Sequence, residues 1–281
     1  MNNRDERRTA IERFIEKMPS LSTTTGKVLE ICSRTDTSPN ELNRVVSLDP
    51  VLTGQVLKLI NSAYYSLANK VTSLTRAITM LGMNTVKNMA LSTAVIRAVA
   101  GVKKSQALPI TKFWKHSLAV GVTAKLLATE REIPAGEREE LFVAGLLHDL
   151  GKIPFGDEYI EALHEAGSKQ RPLVEVENEM LGMNHQEVGR LIAEKWKLNE
   201  AITKSISHHH DQELPSGKVA LVALADIFIN IHEIGSAGNA FPAEEDLRRL
   251  LDTLSMDIGS LRPLHERLLA EVHRAEIFLE L

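Results

Sequence analysis

Residues 146–152 have the sequence Leu146-Leu147-His148-Asp149-Leu150-Gly151-Lys152. The apolar residues before the His-Asp pair have helical spacing, and Gly151 is the residue type that commonly ends a helix. We expect a helix that packs its apolar face and presents His148 and Asp149 from its last turn. As an alternative, a histidine and a lysine near a helix C-terminus could interact only with the helix dipole. That alternative does not explain the acid beside them, so we favour a functional pair.

Five more side chains that can bind a metal flank this pair. Along the chain they are His116, His185, His209, His210 and Asp226. Imidazoles and carboxylates without a thiolate suit a divalent transition metal. A metal lowers the pKa of bound water towards ~7, and two ions roughly 3.5–4 Å apart can hold both the attacking and the leaving oxygen of a phosphoryl group. The set therefore predicts a metal centre for cleaving a phosphate ester, with the two oxygens of Asp149 as a bridge.

Single residues of this set also have structural interpretations. Asp226 interrupts the apolar run 219–229, where a carboxylate is costly unless it is paired or metal-bound. The alternative for Asp226 is a buried salt bridge. His116 alone would more often be a hydrogen-bonded core residue, and His185 alone a surface residue at a helix start capped by Asn184. Their shared pattern favours metal ligation.

The triple histidine at residues 208–210 cannot contribute all three rings to one centre. Adjacent residues on a helix point ~100° apart. Continuing the apolar face of Ile202 and Ile206 directs His209 and His210 inwards and leaves His208 as a bystander. Whether His208 rather than His209 is a ligand stays open from the sequence.

Lys152 has two interpretations that the sequence leaves open. It could face a substrate phosphate as a fixed positive charge, which would make it catalytic together with Asp149. It could also be a lysine that interacts favourably with a helix C-terminus. The remaining histidines lie outside the pattern and are given no role. They are His164, His232, His265 and His273.

The composition excludes several classes of protein. The chain has 281 residues with 43% hydrophobic and 25% charged residues, which is typical of a globular protein. Its net charge of −4 gives no bulk electrostatic support for nucleic-acid binding. The single cysteine, Cys32, allows no intrachain disulfide, and the apolar stretch 141–147 is far shorter than the ~18 residues of a bilayer span. We therefore expect a cytoplasmic protein with no membrane or nucleic-acid partner.

Helical signals run along the whole chain. Pro39 and Pro50 follow capping residues at positions where a helix can begin, and the apolar residues between such signals have helical spacing. We predict an all-α fold, with an N-terminal helical region at residues 1–108 and a helical metal domain with C-terminal helices at residues 109–281. A polar stretch at residues 101–109 marks the boundary.

At its candidate ligands the chain resembles the HD superfamily of metal-dependent phosphohydrolases. Its four-residue core is matched by His116, His148, Asp149 and Asp226. The added histidines of the HD-GYP branch, which hydrolyses cyclic dinucleotides, are matched by His185, His209 and His210. The resemblance implies two divalent ions. The four core residues would bind one ion (position 1), and the three added histidines would bind the other with Asp149 as a bridge (position 2). Iron, manganese, nickel and zinc all suit such a site.

The N-terminal part is specifically similar to HDOD output domains, and the resemblance covers about residues 10 to 235. The matching stretches are Met18-Pro19-Ser20-Leu21, Leu48-Asp49-Pro50, Leu59-Ile60-Asn61-Ser62-Ala63-Tyr64-Tyr65 and Ala77-Ile78-Thr79-Met80-Leu81-Gly82. HDOD domains commonly lack the metal ligands, whereas this chain has the full set. Residues 211–217 lack the Gly-Tyr-Pro element of the HD-GYP branch, so cyclic dinucleotide hydrolysis is not implied. Lys112 stands where some relatives have a glutamate, which argues against a third metal.

These resemblances lead to two functional hypotheses. The first is an HDOD signal-transduction protein that acts as a metal-dependent phosphohydrolase or phosphodiesterase on a nucleotide or another signalling phosphate. The alternative is a non-catalytic signalling output or scaffold module, in which any metals hold helices together. A signalling protein is the expected partner, and a nucleotide or phosphoester is the expected ligand.

Overall fold

The computed structural model describes residues 3–34, 36–62, 67, 69–100, 107–238, 244–276 and 279. Within these residues the regular structure is helical and contains no strand, which confirms the all-α class. The α-helices are α1 (Asn3–Lys17), α2 (Thr23–Ser33), α3 (Pro39–Val46), α4 (Pro50–Ile60), α5 (Leu74–Leu81), α6 (Met83–Ala100), α7 (Ile110–Glu130), α8 (Ala135–Leu147), α9 (Tyr159–Lys169), α10 (Leu173–Leu181), α11 (His185–Lys195), α12 (Glu200–His208), α13 (Gly217–Ile231), α14 (Glu244–Thr253) and α15 (Arg262–Ala275). Two 3-10 segments occupy Leu150–Glu158 and Ile258–Leu261. None of the described helices combines the length and the apolar character that a bilayer span requires.

The proline-marked helix starts are confirmed by their caps. Ser38 Oγ accepts a hydrogen bond from the backbone N–H of Glu41 at 3.2 Å, and Pro39 opens α3. Asp49 Oδ1 accepts bonds at 3.0 Å from two N–H groups in the first turn of α4, which Pro50 opens. Each cap satisfies N–H groups that lack an acceptor within the helix, so local sequence suffices to place these starts.

The chain forms two compact units, each assembled from separate parts of the sequence. The first unit contains residues 1–18 and 101–269. The second contains residues 19–100 and 270–281. All seven candidate ligands belong to the first unit.

The division of the chain into residues 1–108 and 109–281 stays a prediction, and most of the boundary stretch, residues 101–106, lies outside the described residues. Helix α1 packs within the first unit, although it opens the chain. Lys195 Nζ on α11 donates a hydrogen bond at 2.8 Å to the carbonyl oxygen of Ile15, in the last turn of α1. The first helix is thereby attached to the unit that carries the candidate ligands.

The second unit has its own apolar core, to which α2 through α6 contribute. Asn61 follows α4 and holds Val71 beside the end of that helix. Its Nδ2 donates to the carbonyl oxygens of Leu57 at 2.7 Å and Val71 at 2.8 Å, while its Oδ1 accepts from Val71 N–H at 2.8 Å. Tyr64 and Tyr65, which the resemblance singled out, lie outside the described residues.

Two glycines bring α7 and α8 together at the centre of the first unit. A Cβ added to Gly121 would lie 2.5 Å from the carbonyl oxygen of Phe142, and one added to Gly145 would lie 2.7 Å from Gly121 Cα. Real Cβ atoms do not approach backbone so closely, so neither position accommodates a side chain without movement. The close approach lets His116 on α7 face His148 at the end of α8.

We expect Gly145→Ala to destabilise the protein by about 1–3 kcal/mol, the usual range for overpacking a core. Alanine is the better helix former, so a loss would arise from the clash with the α7 backbone. Denaturant unfolding would measure the effect. The control is Gly217→Ala in the first turn of α13, where no atom lies within 4 Å of the added Cβ. Equal stability of Gly145→Ala and the unsubstituted protein would contradict the close approach.

Candidate metal centre

The structure brings all seven candidate ligands into two adjoining groups that share Asp149. Position 1 consists of His116, His148, Asp149 and Asp226, and position 2 consists of Asp149, His185, His209 and His210. Within each group the potential ligand atoms lie within 4.8 Å of one another. Six of the seven residues are at most 3% exposed, and only His210 is half-buried.

Position 1 is formed by α7, the end of α8 and α13. Asp226 Oδ1 lies 3.0 Å from His116 Nε2 and 3.4 Å from His148 Nε2. His148 Nδ1 donates at 2.7 Å to the carbonyl oxygen of Gly145, which directs its Nε2 inwards. Asn230, one turn further along α13, donates at 2.8 Å to Asp226 Oδ1 and orients that carboxylate. Gly145 and Asn230 therefore orient His148 and Asp226, and Asp226 in turn contacts His116.

Position 2 is formed by the start of α11 and the residues directly after α12. Asp149 Oδ1 lies 3.4 Å from His185 Nε2 and 3.6 Å from His209 Nε2. His209 Nδ1 contacts the carbonyl oxygens of Ser205 and Ile206 on α12, each at 3.0 Å. His185 Nδ1 contacts a carboxylate oxygen of Glu177 at 2.6 Å. The outer nitrogens of both rings therefore face acceptors.

These contacts determine which ring nitrogen of His185 and of His209 carries the proton, and they leave the lone pairs of the two Nε2 atoms directed at each other. Because carbonyl and carboxylate oxygens only accept, Nδ1 of both His185 and His209 carries the proton. In the neutral rings the two Nε2 atoms are then acceptors, and they lie 3.3 Å apart beside Asp149 Oδ1. In addition, His148 Nε2 and Asp149 Oδ1 are buried without a hydrogen-bond partner. A cation resolves such a convergence of acceptors, so the residues fit a metal at each position.

The pKa shifts of residues in the site also favour the binding of metal ions. Burial lowers the pKa of His209 and of His210, which favours the neutral imidazole that a metal requires. Burial would also lower the pKa of His148, but the carboxylates of Asp149 and Asp226 raise it to about 10. Burial opposes ionisation of Asp149, but His148 and Lys152 hold its pKa well below the usual value. The two carboxylates of position 1 therefore favour positive charge beside them, either as a proton on His148 or as a metal ion.

Lys152 is a buried member of the site. It is 1% exposed, and its Nζ donates a 2.7 Å hydrogen bond to Asp149 Oδ2. Helix α8 ends at Leu147, so Lys152 lies in the following 3-10 segment and not in the last turn of that helix. Its contact with a substrate phosphate stays a prediction.

The prediction that a helix ends at Gly151 is wrong. Helix α8 ends at Leu147, and Gly151 lies inside the following 3-10 segment. A Cβ on Gly151 would overlap the carbonyl oxygen of His185 and lie 2.5 Å from the backbone nitrogen of Gly189. Glycine is therefore needed here for the close approach of α11, which brings His185 to Asp149.

The other histidines lie outside both groups. His208 ends α12, and its Nδ1 contacts Asp211 Oδ2 at 2.7 Å on the partly exposed side of the helix. Farther away, the rings of His232 and His265 contact each other with centroids 4.3 Å apart. The geometry thus selects His209 and His210 from the triple histidine.

Sequence reasoning missed two buried residues behind position 2, Glu177 and Tyr159. Tyr159 Oη donates at 2.7 Å to Glu177 Oε1, and Glu177 Oε2 contacts His185. Burial and the neighbouring carboxylate raise the pKa of Tyr159 well above its usual value, so the phenol keeps its proton. Glu177 lies on the same face of α10 as Leu173 and Leu181, and an acid in that pattern was the signal that could have identified it.

We expect His209→Ala to reduce the bound divalent metal from about two ions per chain to about one, because position 2 loses a ligand whereas position 1 keeps all four. Metal content measured by mass spectrometry, on protein purified without a tag, would show the loss. His208→Ala is the matched control, since its ring lies outside both groups. Equal metal content in His209→Ala and His208→Ala would contradict the arrangement.

The fold is similar to that of two solved structures. An HDOD domain protein of Geobacter sulfurreducens superposes with a TM-score of 0.77 at 24% identity, covering 99% of each chain. A candidate phosphohydrolase of Shewanella amazonensis SB2B superposes with a TM-score of 0.72 at 23% identity, covering 96% of this chain and 98% of that one. At these identities the likeness concerns the fold alone.

Curated relatives match shorter parts of the chain. Ribonuclease Y of Aster yellows witches'-broom phytoplasma is 39% identical over 114 residues, which is 40% of this chain and 16% of the ribonuclease. Across the first curated relatives that it matches, the chain spans between 16% and 38% of their length. The family profile of the HDOD domain matches residues 18–212, well over half of the sequence. The chain therefore belongs to the HDOD family.

Proposed function

We propose that this HDOD protein is a metal-dependent phosphohydrolase that acts on a nucleotide or a related signalling phosphate. The observation that supports this most directly is the way the two oxygens of Asp149 are divided. Oδ2 lies 3.3 Å from His148 Nε2 at position 1, and Oδ1 lies 3.4 Å from His185 Nε2 at position 2. One carboxylate can therefore contact an ion at each position.

The residues would hold two divalent transition-metal ions, of iron, manganese, nickel or zinc. When bound, such a pair supplies a water of lowered pKa and positive charge on both sides of a phosphoryl group. The chain contributes the geometry: Asp149 fixes the separation of the two positions, and the buried imidazoles keep their lone pairs directed at them. Lys152 holds the bridging carboxylate through its 2.7 Å contact and offsets part of its charge.

Burial of the centre bears on the size of the substrate. Among the seven ligands only His210 is half-buried, so a phosphoester would approach from the His210 side. Such restricted access favours a small phosphoester over a continuous nucleic-acid strand. The similarity to ribonuclease Y, whose name describes cleavage of RNA, supports phosphodiester chemistry in general. The net charge of −4 gives no bulk electrostatic support for RNA as the substrate here.

The same burial favours a second candidate function, a non-catalytic signalling or scaffold module that binds a protein partner. The ligands come from α7, the α8 end, α11, the α12 end and α13, so bound ions would hold these helices together. In that case the metals would contribute to stability, and no substrate would be converted.

A comparison of His148→Ala with His208→Ala separates the two functions. We expect the unsubstituted protein, loaded with Mn²⁺, to hydrolyse at least one member of a panel of nucleotides and p-nitrophenyl phosphoesters. His148→Ala should reduce the rate to that of metal-free protein with the helical circular dichroism spectrum retained, because position 1 loses a ligand. His208→Ala should keep the full rate. Absence of turnover by the metal-loaded unsubstituted protein, together with a lowered melting temperature of His148→Ala, would instead support the scaffold function.

A further inference from the structure

Behind position 2 lies a buried chain of hydrogen bonds formed by Tyr159, Glu177 and His185. All three side chains are fully buried. Glu177 Oε1 accepts a 2.7 Å bond from Tyr159 Oη, and Glu177 Oε2 accepts bonds from both the backbone N–H of His185 at 2.9 Å and its Nδ1 at 2.6 Å. The carboxylate thus receives three donors, which offsets the cost of burying its charge.

The two hydrogen bonds that Glu177 accepts from His185 have separate effects. The bond to the backbone N–H holds the start of α11, and the bond to Nδ1 fixes the tautomer and the rotation of the ring. His185 Nε2 is consequently directed at Asp149 Oδ1, 3.4 Å away. A carboxylate that accepts from the outer nitrogen of a histidine also makes that histidine a stronger metal ligand.

The contacts of this hydrogen-bond chain are confined to one side of the centre. At position 1, His148 Nδ1 donates to the backbone carbonyl of Gly145, and the carboxylate of Asp226 is held by Asn230. Glu177 contacts His185, a ligand of position 2, and neither Glu177 nor Tyr159 is a member of the two ligand groups. Apart from Lys152, which holds the shared Asp149, the described contacts therefore give the two positions different outer residues.

We propose that Tyr159 and Glu177 are positioning residues that set the metal affinity of position 2 without affecting position 1. This inference rests on the metal centre of the proposed function. It does not depend on whether the centre hydrolyses a substrate.

The test uses two variants that each damage one position. His116→Ala removes a ligand from position 1 alone, and His209→Ala removes one from position 2 alone. Glu177→Gln is then added to each, and the full chain is titrated with Co²⁺, followed by calorimetry and visible absorption. In the His116→Ala background we expect Glu177→Gln to weaken Co²⁺ binding at the intact position 2 by roughly 10–100-fold. In the His209→Ala background we expect affinity at position 1 to stay unchanged.

Tyr159→Phe and Glu175→Gln complete the set. Tyr159→Phe removes only the hydroxyl, so we expect a smaller decrease in affinity that is again confined to position 2. Glu175→Gln is the matched control for Glu177→Gln, since Glu175 lies on α10 but is exposed beside Arg171. It should leave Co²⁺ binding unchanged in both backgrounds.

Three results would overturn the proposal: an equal loss at both positions, an unchanged affinity at position 2, or no Co²⁺ binding by the unsubstituted protein. An equal loss would indicate a merely structural role. If circular dichroism shows that Glu177→Gln does not fold, the titrations of Tyr159→Phe decide. A position-specific loss of Co²⁺ affinity in a protein that hydrolyses no phosphoester would support this inference and reject the proposed function.

Discussion

The buried carboxylate of Asp149 is the constraint on which the rest of the first unit depends. A charge without solvent is costly unless oppositely charged or donating groups surround it. Here Lys152 lies 2.7 Å from Oδ2, and three histidine Nε2 atoms lie between 3.3 and 3.6 Å from one or other oxygen. A lysine alone does not satisfy every acceptor, because Oδ1 keeps no hydrogen-bond partner. The remaining requirement for positive charge makes the site suitable for metal ions.

Meeting that constraint requires backbones to approach more closely than side chains normally allow. Gly121 and Gly145 allow α7 and α8 to touch, which brings His116 and His148 to one side of Asp149. Gly151 allows the start of α11 to reach the 3-10 segment, which brings His185 to the other side. Helix packing and ligand geometry are thus parts of one arrangement, and a methyl group at these glycines would disturb both.

The same arrangement is compatible with both candidate functions. A centre assembled from five separated segments of chain would stabilise the first unit when it binds metal, whether or not it turns over a substrate. The features that favour hydrolysis are the bridging geometry of Asp149 and the half-buried His210, which leaves one ligand near the surface. HDOD membership is compatible with both candidate functions and does not decide between them.

Local sequence determined the helical class and the capped starts at Pro39 and Pro50. It also singled out the seven candidate ligands, but it left the choice between His208 and His209 open. Caps and apolar periodicity act between residues within one or two helical turns, so they are visible without the fold. Only the tertiary structure decided how Asp149 divides its oxygens between the two positions. It also decided that α8 ends at Leu147 rather than Gly151, and that Glu177 supports His185. These features depend on contacts between residues that are far apart in the chain, such as the 3.0 Å contact of His116 with Asp226 across 110 positions, and on close backbone approach. No short stretch of sequence contains that information.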